Sequence, residues 1–135
     1  MSNSLRALVA VLALVSSCMS ASASDFAKGR EAFRSGDFAM ALREFRPLAE
    51  QGNSDAQFSL GYMYDNGHGV LEDDVEAVRW YRLAAEQGKV YAQFNIGVMY
   101  ATGKGVLKDV VIAHMWANIG SANGDKNAAK TAIVL

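Results

Sequence analysis

Between residues 53 and 124, apolar positions recur at three- and four-residue spacing and are broken by glycine-rich loops. Ala56, Leu60, Met63 and Tyr64 fall on one side of a helix predicted over about 55–66. Gly61 lies inside that helix, where glycine lowers helix propensity, so a close backbone neighbour is expected there. Gly67 and Gly69 end the helix, since glycine accepts the left-handed turn that such endings favour. Asp73 is placed to cap the next helix, with Glu76 three residues on completing a capping-box pair. Ala77, Trp80, Tyr81, Ala84 and Ala85 form that helix's buried face, and Gly88 stops it.

The same pattern returns. Residues 89–124 superpose on 53–88 at a shift of 36 with fifteen identities, among them Ala56/Ala92, Gly61/Gly97, Tyr64/Tyr100, Gly69/Gly105, Asp73/Asp109 and Trp80/Trp116. Upstream, 24–52 is a shorter version, with Ala41, Phe45, Ala49 and Gly52 in register and a plain SGDF loop. Pro47, the one proline, removes a backbone donor from its second helix, so a kink or restart is expected near Arg46. Residues 125–135 start another first helix and finish on an apolar AIVL. That segment is expected either to cap the stack or to leave a surface for self-association.

A-x-x-x-L-G-x-x-Y, then G-x-G-V, then D-x-x-x-A-x-x-W-Y-x-x-A-A-x-x-G resembles the Sel-one-like repeat, a relative of the tetratricopeptide repeat with a longer loop. The second copy departs from it at Ile96, Ala117, Gly120 and Ser121. The resemblance implies an all-α fold, a short right-handed α/α solenoid of about three helix-turn-helix repeats. It also implies a non-catalytic adaptor or regulator that binds a protein or peptide on its concave face. The groove-facing positions carried over are Arg30, Phe33 and Arg34, then Phe58, Tyr62, Asp65 and Asn66, then Phe94, Val98, Ala101 and Thr102. Phe58 and Phe94 equally suit packing between units.

The amino terminus reads as an export signal. Arg6 precedes the apolar run 7–15, too short to span a bilayer, and Ala21-Ser22-Ala23 has the small-x-small form of a cleavage site. Cleavage after Ala23 would leave Ser24 first and place the repeats in the bacterial periplasm or envelope. VSSC, residues 15–18, also resembles a lipobox, so Cys18 is either removed with the signal or lipidated as the only membrane anchor. A disulfide within the chain is not available, because Cys18 is the sole cysteine.

Charge and chemistry narrow the function. Thirteen basic residues stand against fourteen acidic ones, so the basic footprint required by nucleic acid is missing. The two G-x-G loops follow no strand and contain no G-K-[ST], and are read as helix-ending turns rather than phosphate cradles. His68 is expected at an exposed loop tip, and His114 on a helix surface. With no cysteine partner they form no metal site. The acids Glu72, Asp73, Asp74 and Glu76 are read as capping and solvated surface. No cofactor is expected. The alternative is a cell-wall-directed enzyme or accessory factor, although no nucleophile or carboxylate pair stands outside the repeat pattern.

Overall fold

The computed structural model describes residues 25–124, in which six helices and no strand are present. They are α1 over 25–35, α2 Phe38–Glu50, α3 Ser54–Asn66, α4 Asp74–Glu86, α5 Val90–Thr102 and α6 Val110–Ala122. From α2 onward each packs most heavily on the next helix in the chain, the neighbour-by-neighbour stacking of a solenoid. The expected all-α repeat architecture is the observed one. The proposed signal, Cys18 and the partial helix over 125–135 lie outside the described residues.

Local chemistry sets the helix ends. Asp37, Asn53, Asp73 and Asp109 accept backbone N–H groups at the starts of α2, α3, α4 and α6, whereas α5 begins at Lys89 without a side-chain cap. The expected capping box is only half made. The Asp73 N–H donates to the Tyr64 carbonyl at 3.0 Å, and Glu76 turns instead to Arg79 at 3.2 Å. Asp109 repeats the arrangement, its N–H reaching the Tyr100 carbonyl at 2.9 Å. The donor that a capping box would use is already closing the loop. Nor does α2 restart at Arg46: it runs as one helix through Pro47. The missing donor would have addressed Arg43, and both residues are exposed, which leaves that carbonyl to water.

The core has two linked parts. Phe45, Leu48 and Ala49 of α2 pack with Ala56, Leu60 and Met63 of α3 and with Trp80 of α4. Ala77, Tyr81, Ala84 and Ala85 of α4 pack with Ala92, Ile96 and Met99 of α5 and with Trp116 of α6. Thus α4 turns Trp80 into one cluster and Tyr81 into the other.

The neighbour of Gly61 is a ring, not backbone. A Cβ there would stand 2.6 Å from Cδ1 of Tyr81, and at Gly29 the same distance from Cε1 of Phe45. At Gly97 the corresponding ring is missing, because Ala117 stands in its place, and the nearest atoms are the Ala113 oxygen and Trp116 Cβ at 3.5 Å.

The two glycines of each G-x-G loop do different things. Gly67 and Gly103 end α3 and α5 in the left-handed region, donating to the Met63 and Met99 carbonyls. The second glycine instead rests on the preceding unit. A Cβ on Gly69 would meet Phe38 Cβ at 2.9 Å, and one on Gly105 the Asp74 carbonyl carbon at 2.5 Å. The expectation that all four merely end helices is corrected: two are contacts between units.

Polar groups join the units as well. Buried Gln57 donates from Nε2 to the Ala49 carbonyl at 3.2 Å and accepts from Gln87 at 2.7 Å. Gln93 repeats this with Ala85 at 3.0 Å and Asn123 at 3.2 Å. Arg46 donates to the Tyr64 hydroxyl at 3.0 Å, and Arg82 to that of Tyr100. Each buried amide is thereby satisfied, as burial of a polar group requires.

Candidate functional site

Successive first helices, α1 and α3, run side by side and leave a groove between them. Phe26, Arg30 and Phe33 line it from α1, at the spacing of one helix face, and Phe58, Ser59 and Tyr62 from α3. Phe45 of α2, almost fully buried, forms its base. The opening is about 300 Å³, at the lower end of ligand-sized pockets. Phe26 lies 5.4 Å from Phe45 between ring centroids, and Phe33 meets Tyr62 edge-on at 5.9 Å. Phe58 packs on Tyr81 at 5.7 Å and Tyr91 at 6.3 Å, so it both lines the groove and holds units together.

Of the eleven residues expected on this face, the structure brings Arg30, Phe33, Phe58 and Tyr62 into the groove. Arg34 is exposed on α1, one turn beyond Arg30. Asn66 is exposed and donates to the Tyr62 carbonyl at 2.9 Å, tying down the end of α3. Phe94 and Val98 are half-buried on α5, and the exposed Thr102 donates its hydroxyl to the Val98 carbonyl at 2.8 Å. Ala101 is buried, being only 6% exposed. It lies one turn past Gly97, whose nearest atoms belong to α6, and so sits on the packed side of α5. Phe26, Phe45 and Ser59 were not among the expected residues. The seven-residue spacing of Phe26 and Phe33 was the signal that could have found the first.

Asp65 is also no free groove residue. It accepts from the Tyr81 hydroxyl at 3.2 Å and pairs with Lys104 Nζ at 2.5 Å, and Lys104 lies 3.6 Å from Asp74 as well. The corresponding loop residue one unit earlier is His68, which is not at an exposed tip. Its ring stacks on Phe38 at 4.5 Å and 3°, with Phe33 at 5.7 Å and Tyr62 at 5.8 Å. Phe38 stands in register with Asp74, and Phe33 with Asp65 when Gly29 is set on Gly61. One position in the repeat is therefore built from rings at the first junction and from charges at the second.

The ionic junction has a pH signature. Burial, reinforced by the Asp65 carboxylate, pushes the Tyr81 phenol well above the ordinary tyrosine range. The hydrogen bond to Asp65 raises Lys104 above its usual 10.5. Above the ordinary tyrosine value of 10.0, the unfolded chain releases the phenolic proton while the folded chain keeps it, so stability falls as pH rises. Lys104 acts in the same direction, its contribution full below 10.5 and lost as pH climbs through its raised value. The melting temperature is expected to drop as pH rises above about 10, and less steeply in Tyr81→Phe. An unchanged alkaline slope in that variant would show that Tyr81 does not contribute.

Among the described residues, no three of His, Cys, Asp or Glu lie together so as to hold a metal ion, and no helix is long and apolar enough to cross a membrane.

The helix pairs, glycine loops and stacked units have counterparts in known proteins. The model of the Sel1 repeat matches residues 54–89 and 90–125, together just over half of the chain. A crystal structure of a Sel1 repeat protein from Oxalobacter formigenes is similar at 33% identity and a TM-score of 0.75, over 79% of this chain and 44% of that one. A protective antigen present in uropathogenic Escherichia coli strains, displaying an SLR fold, is similar at 35% identity and 0.76, over 79% of this chain and 24% of that one. Cysteine rich protein B of Helicobacter pylori shares the fold at 22% identity and 0.64, over 67% of this chain and 68% of that one. The chain thus spans less than half the length of the first two. No curated protein matches it. Two full matches to the repeat model, falling on the helix pairs α3–α4 and α5–α6, place the chain in the Sel1 repeat family.

Proposed function

We propose that this chain is a non-catalytic protein-interaction module of the bacterial cell envelope, which holds a partner in the groove between α1 and α3. Sel1 repeats are generally protein–protein interaction modules. The observation that carries the reading is the groove itself: Phe26, Phe33, Phe45, Phe58 and Tyr62 present ring surface around one opening, edged by Arg30. Aromatic residues and arginine are the side chains that most often dominate protein interfaces. Residues 1–23 supply the address, with Arg6, the apolar run and the Ala21-Ser22-Ala23 site in the order of an export signal.

In-cell crosslinking followed by mass spectrometry tests both parts. Arg30→Ala with Tyr62→Ala is expected to reduce recovery of the bound partner by about tenfold or more. Both side chains are exposed, so the helical circular dichroism should hold. Phe94→Ala, outside the groove, should leave recovery within about twofold. Undiminished recovery from the double variant would remove the groove from the proposal. The intact mass of the same material reads the address: a chain starting at Ser24, or an acylated one starting at Cys18, supports export, and an uncleaved chain sinks it.

A further inference from the structure

Lys28, Arg43, Arg79, Lys89 and Lys104 each lie within an ion pair, and Arg46 and Arg82 donate to tyrosine hydroxyls. Arg30 and Arg34 differ from these. They stand one turn apart on α1, both exposed, and form no ion pair with any described residue. Arg30 lies on the groove, where the other polar groups are the Tyr62 hydroxyl and that of Ser59, which already donates to the Asp55 carbonyl at 2.8 Å. Among the lining residues Arg30 carries the one charge, so the groove is a ring-lined opening with a guanidinium at its edge, continued along α1 by a second.

We propose that the groove takes an acidic peptide segment, with a large apolar side chain among the rings and two neighbouring carboxylates on Arg30 and Arg34. This rests on the reading of the groove as the partner site and adds the chemistry of the partner. An opening of about 300 Å³ suits one large side chain. Residues one turn apart on a helix stand about 6 Å from each other, so the positive edge is longer than a single carboxyl terminus can cover. An internal acidic run fits that length. Guanidinium groups bind carboxylates through paired hydrogen bonds, which orients the segment along α1. Because both arginines are exposed, their contribution is modest and weakens with salt.

The test is a titration of the ¹⁵N-labelled protein at low salt with three blocked pentapeptides. These are acetyl-Gly-Phe-Glu-Glu-Gly-amide, the same peptide with both glutamates replaced by glutamine, and the glutamate peptide with alanine in place of phenylalanine. The glutamate–phenylalanine peptide is expected to bind roughly fivefold more tightly than its glutamine counterpart, shifting amide signals of α1 and α3. Arg30→Gln with Arg34→Gln should abolish that difference, bringing the glutamate peptide down to the affinity of its glutamine counterpart for the same variant. Equal affinity for the glutamate and glutamine peptides overturns the acidic preference and leaves the groove reading standing. Equal affinity with phenylalanine or alanine overturns the groove reading itself. Absence of binding by all three overturns both.

Discussion

Replacing Gly105 by alanine is expected to destabilise the protein by about 3 kcal/mol or more, whereas Gly103→Ala two residues earlier should lose only about 1 kcal/mol. Both glycines have positive φ, 71° and 74°, so each substitution incurs the left-handed strain of an L-residue. They differ in what the new methyl meets. At Gly103 it would lie 3.3 Å from Lys108 Cβ, a tight contact that a loop shift of a few tenths of an ångström relieves. At Gly105 it would overlap the Asp74 carbonyl, which belongs to the first turn of α4 and can withdraw only by opening the junction between units. Chemical denaturation of the two variants checks this, and equal losses would show that Gly105 serves only as a turn.

Gly61→Ala is expected to lose about 2–3 kcal/mol by overpacking, while Gly97→Ala should be neutral or gain up to about 1 kcal/mol of helix propensity. The methyl at Gly61 would press into the Tyr81 ring, which is fully buried and held at its far end by Asp65. At Gly97 every neighbour is at ordinary contact distance, because Ala117 leaves the space open. Tyr81→Ala alone should lose about 3–5 kcal/mol, as large-to-small core changes do. Combined with Gly61→Ala the loss should fall short of the sum by at least about 1 kcal/mol, since the methyl then enters space the ring vacated. Additive losses from thermal or denaturant unfolding would refute direct contact as the reason for the glycine.

These two contrasts also mark where reading the chain stopped. Gly61, Gly97 and the loop glycines were all visible as repeat positions, and their local effects followed from backbone preferences. Which of Gly61, Gly69, Gly97 and Gly105 presses on a ring or a carbonyl, and which has room, depends on residues 16 to 31 positions away. Asp65 shows the same limit. The family resemblance put it on the groove side of α3, but the Tyr81 hydroxyl and Lys104, 16 and 39 residues distant, engage it. Gln57 and Gln93 are among the repeat's identities and nothing more, because a glutamine looks exposed until a carbonyl is found waiting for it in the preceding helix. Pro47 erred the other way: the rule that proline interrupts a helix assumes a carbonyl that needs its partner, and here the site faces water.

The sequence by itself determined the helix pairs, the caps at Asp73 and Asp109, the 36-residue repeat, and from these the all-α architecture. Those depend on interactions within a turn or two, which residue spacing encodes directly. Tertiary structure alone decided that α1 and α3 leave an aromatic groove, that Arg30 and Arg34 remain unpaired among the described residues, and that His68 and Lys104 fill one position with opposite chemistry. Such features arise where two units meet, and a contact across that junction is set by shape and charge on both sides, information that spacing along one segment does not contain.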